Sequence, residues 1–403
     1  MGEERRHGMK GYDVIVAGLG TAGSAACLEL AKRGVSVLGL DALRPPHDRG
    51  GHHGESRSIR RAYLEGTAYV PMAMRSWELW ERLSRDTGIP LLTPTGNLTL
   101  GPPGSPAVTG FLTSARAYGI PHEALSAAEI RRRWPALAPP EGLVGGLEKE
   151  AGVLLPEAAI SVFLERAFLA GAELRFHEPV TRWSARGGRI LVRTPRAGYE
   201  AGRMLLASGA GNLRLLGETD LSLFPKRVPV HWVRPPEGGA FSLGAMPVNF
   251  WQLEAPDSGE GAAYREFYAL PAARGGGRVK TAPHNGLETC DPADMDRTVS
   301  GEEVAEIRAF LERHLPALGR RGIHSHVCLY TGTPDGNFTL GRLPGRDNVV
   351  MTALAGHGFK FAPVLGEILA DLLTDLPPAF DLAPFSPGRF HRPDGGGEEF
   401  RRG

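Results

Sequence analysis

Residues 12–41 read YDVIVAGLGTAGSAACLELAKRGVSVLGLD, and the order of parts within them decides the fold. The run YDVIVA (12–17) is short, apolar and β-branched, the pattern of a parallel strand buried on both faces. Gly18, Gly20 and Gly23 then supply Gly-x-Gly-x-x-Gly, and residues 24–33 read as a helix with small residues at its start, closing at Gly34. A second β run, VSVLGLD, ends at Asp41, eighteen residues beyond Gly23, where a carboxylate can accept the hydroxyls of an adenosine ribose. Glycines at these places let backbone approach a diphosphate, and the helix N-terminus adds partial positive charge. The glycines alone would fit an ordinary turn. Strand, turn, helix, strand and terminal acid together specify the ADP half of a dinucleotide, with FAD and NAD both open at this level.

Outward from this unit the pattern changes twice. Residues 42–61 are loop-like and basic, 70–87 carry apolar residues at helical spacing with Trp77 and Trp80 as core, and 91–100 read as a strand pair followed by helices at 106–118 and 126–134. A helix at 156–170 and strands near 172–176, 180–185, 190–193 and 203–207 return to the style of the entry unit. Residues 228–281 are strand-rich, 301–314 form an amphipathic helix, and 348–373 repeat the form of the entry: strand, glycine-rich turn AGHGFKF with Gly356 and Gly358, helix. A sheet fed from both ends of the chain and interrupted by two excursions implies a discontinuous nucleotide domain (11–90, 150–225, 325–378) with an inserted substrate domain (91–149, 226–324). The fold class expected is α/β plus α+β, with flexible termini at 1–10 and 386–403.

Composition excludes several classes. The 403 residues suffice for two or three domains. Lys plus Arg number 46 against 45 Asp plus Glu, which gives no reason to expect nucleic acid or an anionic membrane as partner. Cys27, Cys290 and Cys328 are too few and too widely spaced for a disulfide framework or a metal site, and Cys27 reads as a small core residue. The opening MGEERRHGMKG lacks an apolar signal core, and no run approaches the ~18 apolar residues of a membrane span. The expectation is a soluble, cytoplasmic protein, and no exposed heptad or apolar stripe argues against a monomer.

Several long phrases carry a family resemblance: GLGTAG, PPHDRGGHHGESRSIRRAY, the YALP and VKTAPH pair, CLYTGTPDGNF and AGHGFKFAPVLGE. From Tyr12 to about Leu373 the chain resembles the monomeric sarcosine oxidase family, which includes N-methyltryptophan oxidase and pipecolate oxidase. The resemblance implies a glutathione-reductase-like FAD-binding domain, an inserted antiparallel-sheet catalytic domain, and oxidation of a secondary α-amino acid by O2. Sarcosine would then yield glycine, formaldehyde and hydrogen peroxide. It implies FAD carried covalently on Cys328, whose bland alternative is a buried core thiol.

The same resemblance distributes roles. His53 and Arg57 fall on the flavin side, Arg60 and Lys360 on the substrate carboxylate, and Lys280 on the activation of O2. His284, four residues beyond Lys280, and Tyr268 and Tyr330 would line the pocket, and Trp251 falls roughly at a small-substrate gate. The stretch 249–266 is longer than the family's hairpin, and 268–280 carries one extra residue, so pocket shape around 249–275 stays open. Rival readings are a dehydrogenase that avoids O2, an oxidase of pipecolate, N-methyltryptophan or a fructosyl amino acid, and a non-catalytic flavin-binding protein.

Overall fold

The strand Lys10–Ala17 runs between Val37–Leu40 and Gly198–Leu206, parallel to both, with Ala17 in register with Leu40 and Leu206. This is a computed structural model, describing residues 9–217, 221, 223–255, 264–273, 277–285 and 287–390. Glu173–Arg175 adds a parallel strand beyond Val37–Leu40, and Arg346–Ala353 adds one beside Gly198–Leu206. The sheet therefore draws strands from near both ends of the chain. Its central strands are buried on both faces, as their unbroken apolar runs require.

The helix Thr21–Lys32 covers one face with Ala22, Ala25 and Ala26, small enough to let the last helix, Ala362–Leu373, come against it. A Cβ on Gly366 would lie 2.8 Å from the carbonyl oxygen of Ala25, so only glycine permits this approach. The helix Val70–Thr87 packs on the same core and stops at Gly88, which takes the left-handed conformation (φ +68°).

A second eight-stranded sheet follows the order Ile323–Gly332, Phe224–Val233, Val279–Pro283, Tyr264–Leu270, Val248–Glu254, Asn97–Gly101, Val144–Glu148, His122–Ser126. All its pairs are antiparallel except Val248–Glu254 with Asn97–Gly101. The helix Gly301–His314, opened by a reciprocal Ser300–Glu303 cap, covers its outer face with Ile307, Phe310 and Leu311.

Two expectations need correction. Residues 91–100 do not form a strand pair: Leu92–Pro94 joins a small sheet with Arg57–Ile59 and Gly152–Leu154, whereas Asn97–Gly101 enters the second large sheet. The turn at Gly96 (φ +74°) sends the chain from one sheet into another and makes no hairpin. Of the termini expected to be flexible, 1–8 and 391–403 lie outside the described residues. Lys10 starts the central strand, and residues 387–390 form a 3-10 turn where Arg389 pairs with Asp335 at 2.9 Å. Residues 256–263 and 274–276, within the stretch of uncertain pocket shape, also lie outside the described residues.

Candidate active site

The two large sheets meet across a cavity of about 710 Å³. At one end stands the glycine turn. Gly18 has φ +94°, and a Cβ there would lie 2.6 Å from Ser208 Cα, while one on Gly23 would fall 1.8 Å from the Gly18 carbonyl oxygen. Gly20 starts the helix Thr21–Lys32 without a side-chain cap, and no acid occupies the first turn, so its N–H groups remain available to an anion. Asp41 ties the turn together, accepting from Leu19 N–H at 2.7 Å and Leu43 N–H at 2.8 Å. An uncapped helix start above a backbone with no room for Cβ atoms fits a dinucleotide diphosphate.

Further along the cavity the loop after Asp41 contributes cations. Arg57 donates to the carbonyls of Ser56 (2.9 Å) and Gly51 (3.0 Å), and Lys280 Nζ donates to the same Ser56 carbonyl at 2.9 Å while facing the Trp232 ring. Burial, then Arg57, pushes the Lys280 ammonium well below its ordinary pKa. His53 is buried edge-on against His326 and does not line the cavity; burial, followed by Arg57 and Lys280, pushes its imidazole down to about 2. His52 lines the cavity instead, its Nε2 accepting from His47 N–H at 3.2 Å. Cys328 lines the wall opposite the glycine turn's sheet, on the strand Ile323–Gly332.

Beyond Cys328, Tyr330, Tyr268, His284 and Phe250 form an aromatic wall, with His284 5.5 Å from Phe250 and 6.2 Å from Tyr330 between ring centroids. Burial raises the Tyr330 hydroxyl to about 12 and lowers His284 to about 4, so both are neutral near pH 7. Gly356 (φ +85°) lies against this wall: a Cβ would stand 2.3 Å from the Tyr330 ring. Gly358 is equally constrained, its Cβ direction meeting Leu354 at 2.4 Å.

At the far end Arg60 and Lys360 flank the Tyr63 ring, their charges 4.9 and 5.1 Å from its centroid. One Arg60 nitrogen holds both oxygens of Glu65, at 2.7 and 2.8 Å. Burial acts to raise Glu65, but Arg60, then His357 and Lys360, hold it down to about 2. Lys360 Nζ donates to the His357 carbonyl at 2.7 Å, and its own carbonyl accepts from Trp80 Nε1 at 2.7 Å and from Ser76. Burial and Arg60 bring the Lys360 ammonium down to about 7.

Trp251 does not reach this cavity. It is fully buried behind the second sheet, edge-on to Phe310 and tilted against His314, with Nε1 donating to Asn249 Oδ1 at 2.7 Å. Side chains alternate across a strand, so Phe250 faces the cavity and Trp251 the covering helix. Phe250, Glu65 and His52 are the site residues that the sequence did not single out.

With this geometry stand the relatives. The FAD dependent oxidoreductase family matches residues 13–372, and monomeric sarcosine oxidase of Streptomyces avermitilis is 38% identical over 94% of this chain and 97% of its own length. The chain belongs to the FAD-dependent oxidoreductase family. N-methyl-L-tryptophan oxidase of Salmonella arizonae is 35% identical, covering 94% of this chain and 99% of its own. Among solved structures, NikD, an amino acid oxidase essential for nikkomycin biosynthesis, superposes with a TM-score of 0.81 at 23% identity, over 94% of this chain and 98% of its own, a likeness of fold. FAD is therefore the dinucleotide of this family member, and its enzymatic class is FAD-dependent oxidoreductase. No described helix is long and apolar enough to cross a membrane.

Proposed function

We propose that this enzyme oxidises secondary α-amino acids with O2, sarcosine foremost, and holds FAD through Cys328. The observation that carries the reading is the order of groups along one cavity: nucleotide cradle, Cys328 beside Lys280 and Arg57, aromatic wall, then the Arg60–Lys360 pair. Gly18, Gly20, Gly23 and Asp41 would hold the ADP half of FAD, and Gly356 and Gly358 would bring backbone to its other half. When bound, FAD would supply the two-electron chemistry, a hydride equivalent from the substrate's C–N carbon being passed on to O2 as hydrogen peroxide, and water would hydrolyse the resulting imine.

The protein's own groups orient and select. Arg60 forks onto the substrate carboxylate with Lys360 beside it, fixing one end of a small amino acid. Tyr268, Tyr330, His284 and Phe250 exclude water around the amine. Glu65, ion-paired and held near 2, is a poor proton acceptor, so the amine reacts in its neutral form, favoured by the neighbouring cations. Lys280 supplies positive charge where O2 acquires negative charge. The first large sheet supports a FAD-binding domain assembled from 11–90, 150–225 and 325–378, and the second a catalytic domain from 91–149 and 226–324, except that Ile323–Gly332 belongs to the second sheet, which moves the last boundary past Gly332.

Anaerobic bleaching of the flavin by a panel of amino acids tests the proposal. Sarcosine should bleach it fastest, and fastest bleaching by N-methyltryptophan, pipecolate or a fructosyl amino acid would reassign the substrate. No bleaching by any of them would remove the oxidase reading.

A further inference from the structure

The turn 53–56 lies between the strand Val279–Pro283, which carries Lys280, and the start of the helix Pro156–Leu169. Its backbone is unusual. Gly54 (φ +115°) and Glu55 (φ +66°) both occupy the left-handed region, and Ser56 N–H folds back onto the Gly54 carbonyl at 2.7 Å. Two consecutive N–H groups, those of Gly54 and Glu55, converge on one carboxylate oxygen, Glu157 Oε1, at 2.6 and 3.0 Å. Such paired donors form an anion-binding concavity, and here the anion is a side chain of the protein itself.

The other rim of this turn meets the cations of the cavity. The Ser56 carbonyl accepts from both Lys280 Nζ and Arg57, each at 2.9 Å. A Cβ on Gly54 would lie 2.9 Å from Lys280 Nζ and 3.2 Å from Arg57, so the turn's backbone touches both charges directly. Two like charges sharing one acceptor in a buried place repel, and either one alone would hold the turn less tightly. Glu157 stands across the turn from them and does not line the cavity.

We propose that Glu157 is a positioning residue for Lys280: it locks the turn whose Ser56 carbonyl aims the ammonium, and its negative charge lets Lys280 and Arg57 share that carbonyl while both remain charged. The inference rests on Lys280 being the cation that serves O2. The charged and titratable groups facing Lys280 are Arg57 and His53 from the loop, Glu55 and Glu157 around the turn, and Cys328 from the facing strand. Of these, Glu157 alone grips the turn's N–H groups, so its charge and its geometry act together.

Glu157→Gln and Glu157→Ala separate the two contributions in the holoenzyme. The glutamine keeps an acceptor oxygen and removes the charge; the alanine removes both. Amide hydrogen exchange across residues 53–57 should stay as in the unaltered protein for Glu157→Gln and rise for Glu157→Ala. Reoxidation of the reduced enzyme by O2 should slow roughly five-fold or more near pH 8 in Glu157→Gln, with the alkaline fall in rate moved to lower pH. Glu157→Ala should slow it further, while anaerobic reduction by sarcosine changes less than about two-fold in both. Unchanged reoxidation and an unchanged pH profile in Glu157→Gln would overturn the proposal, as would equal losses in both half-reactions. Should Glu157→Ala fail to load flavin, Glu157→Gln decides alone. Lys280→Met is the control: if it reoxidises at the normal rate, the oxygen role of Lys280 has failed, and if it is slow while both Glu157 variants are normal, only the role of Glu157 has.

Discussion

Arg60 already holds a carboxylate: a single guanidinium nitrogen spans both oxygens of Glu65, at 2.7 and 2.8 Å, inside the cavity where the proposed substrate would place its own. A bound amino acid must displace or share that partner. Replacing Glu65 with Gln should therefore tighten binding of a simple carboxylate, measured by flavin absorbance titration, by roughly ten-fold. The ligand-free variant should lose on the order of 2 kcal/mol of stability, because Arg60 is left buried and underpaired, and should regain it in excess ligand. Weaker carboxylate binding in Glu65→Gln would show that the pair builds the site and does not compete with it.

Lys360, as the proposed partner of the substrate carboxylate, should give the binding a pH dependence. Its ammonium is pushed down to about 7 by burial and by Arg60, so the charged form prevails below that pH and is lost above it. Affinity for methoxyacetate, which has a carboxylate but no amine to titrate, should fall as pH rises through about 7, approaching ten-fold per unit. Lys360→Met should bind weakly at every pH and abolish the slope. A slope that survives this substitution would place the titrating group elsewhere.

The proposed thioether at Cys328 would hold the cofactor covalently. Acid precipitation should leave the yellow colour with the polypeptide, and Cys328→Ser should release it to the supernatant. Complete release from the unaltered protein would end the covalent assignment.

Phe250 and Trp251 are sequence neighbours with opposite fates. Phe250→Ala should raise KM for small amino acids and admit bulkier ones, with little change in Tm. Trp251→Ala should cost about 3–5 kcal/mol of stability by opening a cavity beside Phe310 and His314, with substrate preference kept. Thermal unfolding and a substrate panel on both variants check the pair, and the reverse pattern would return Trp251 to the pocket.

Much of this was legible because the signals are local. The strand, glycine turn and helix from Tyr12 onward depend on residues within one another's reach, and the periodicity of 301–314 marks its helix end to end. Trp251 was misplaced although a signal existed: Phe250 pairs directly with Tyr268 across the sheet, and directly paired residues share a face, which leaves Trp251 facing away with Phe267. Glu65 lay beyond reach for a physical reason. It follows Arg60 by five residues in a loop, where no periodicity says that the two side chains meet. Glu157 is more distant still, brought to Gly54 only when the helix Pro156–Leu169 docks. His52 and His53 are adjacent, and nothing in the loop's composition says which one turns inward.

The contact between Gly366 and Ala25 also makes the cradle a two-part assembly. The helix that starts at the cradle, Thr21–Lys32, and the helix that braces it, Ala362–Leu373, come from distant parts of the chain. A chain cut before residue 362 would carry every glycine of the cradle with an unsupported wall behind it. Tight binding of the nucleotide should therefore depend on a helix that adds nothing to the diphosphate turn itself and reaches it only because Gly366 can stand against Ala25.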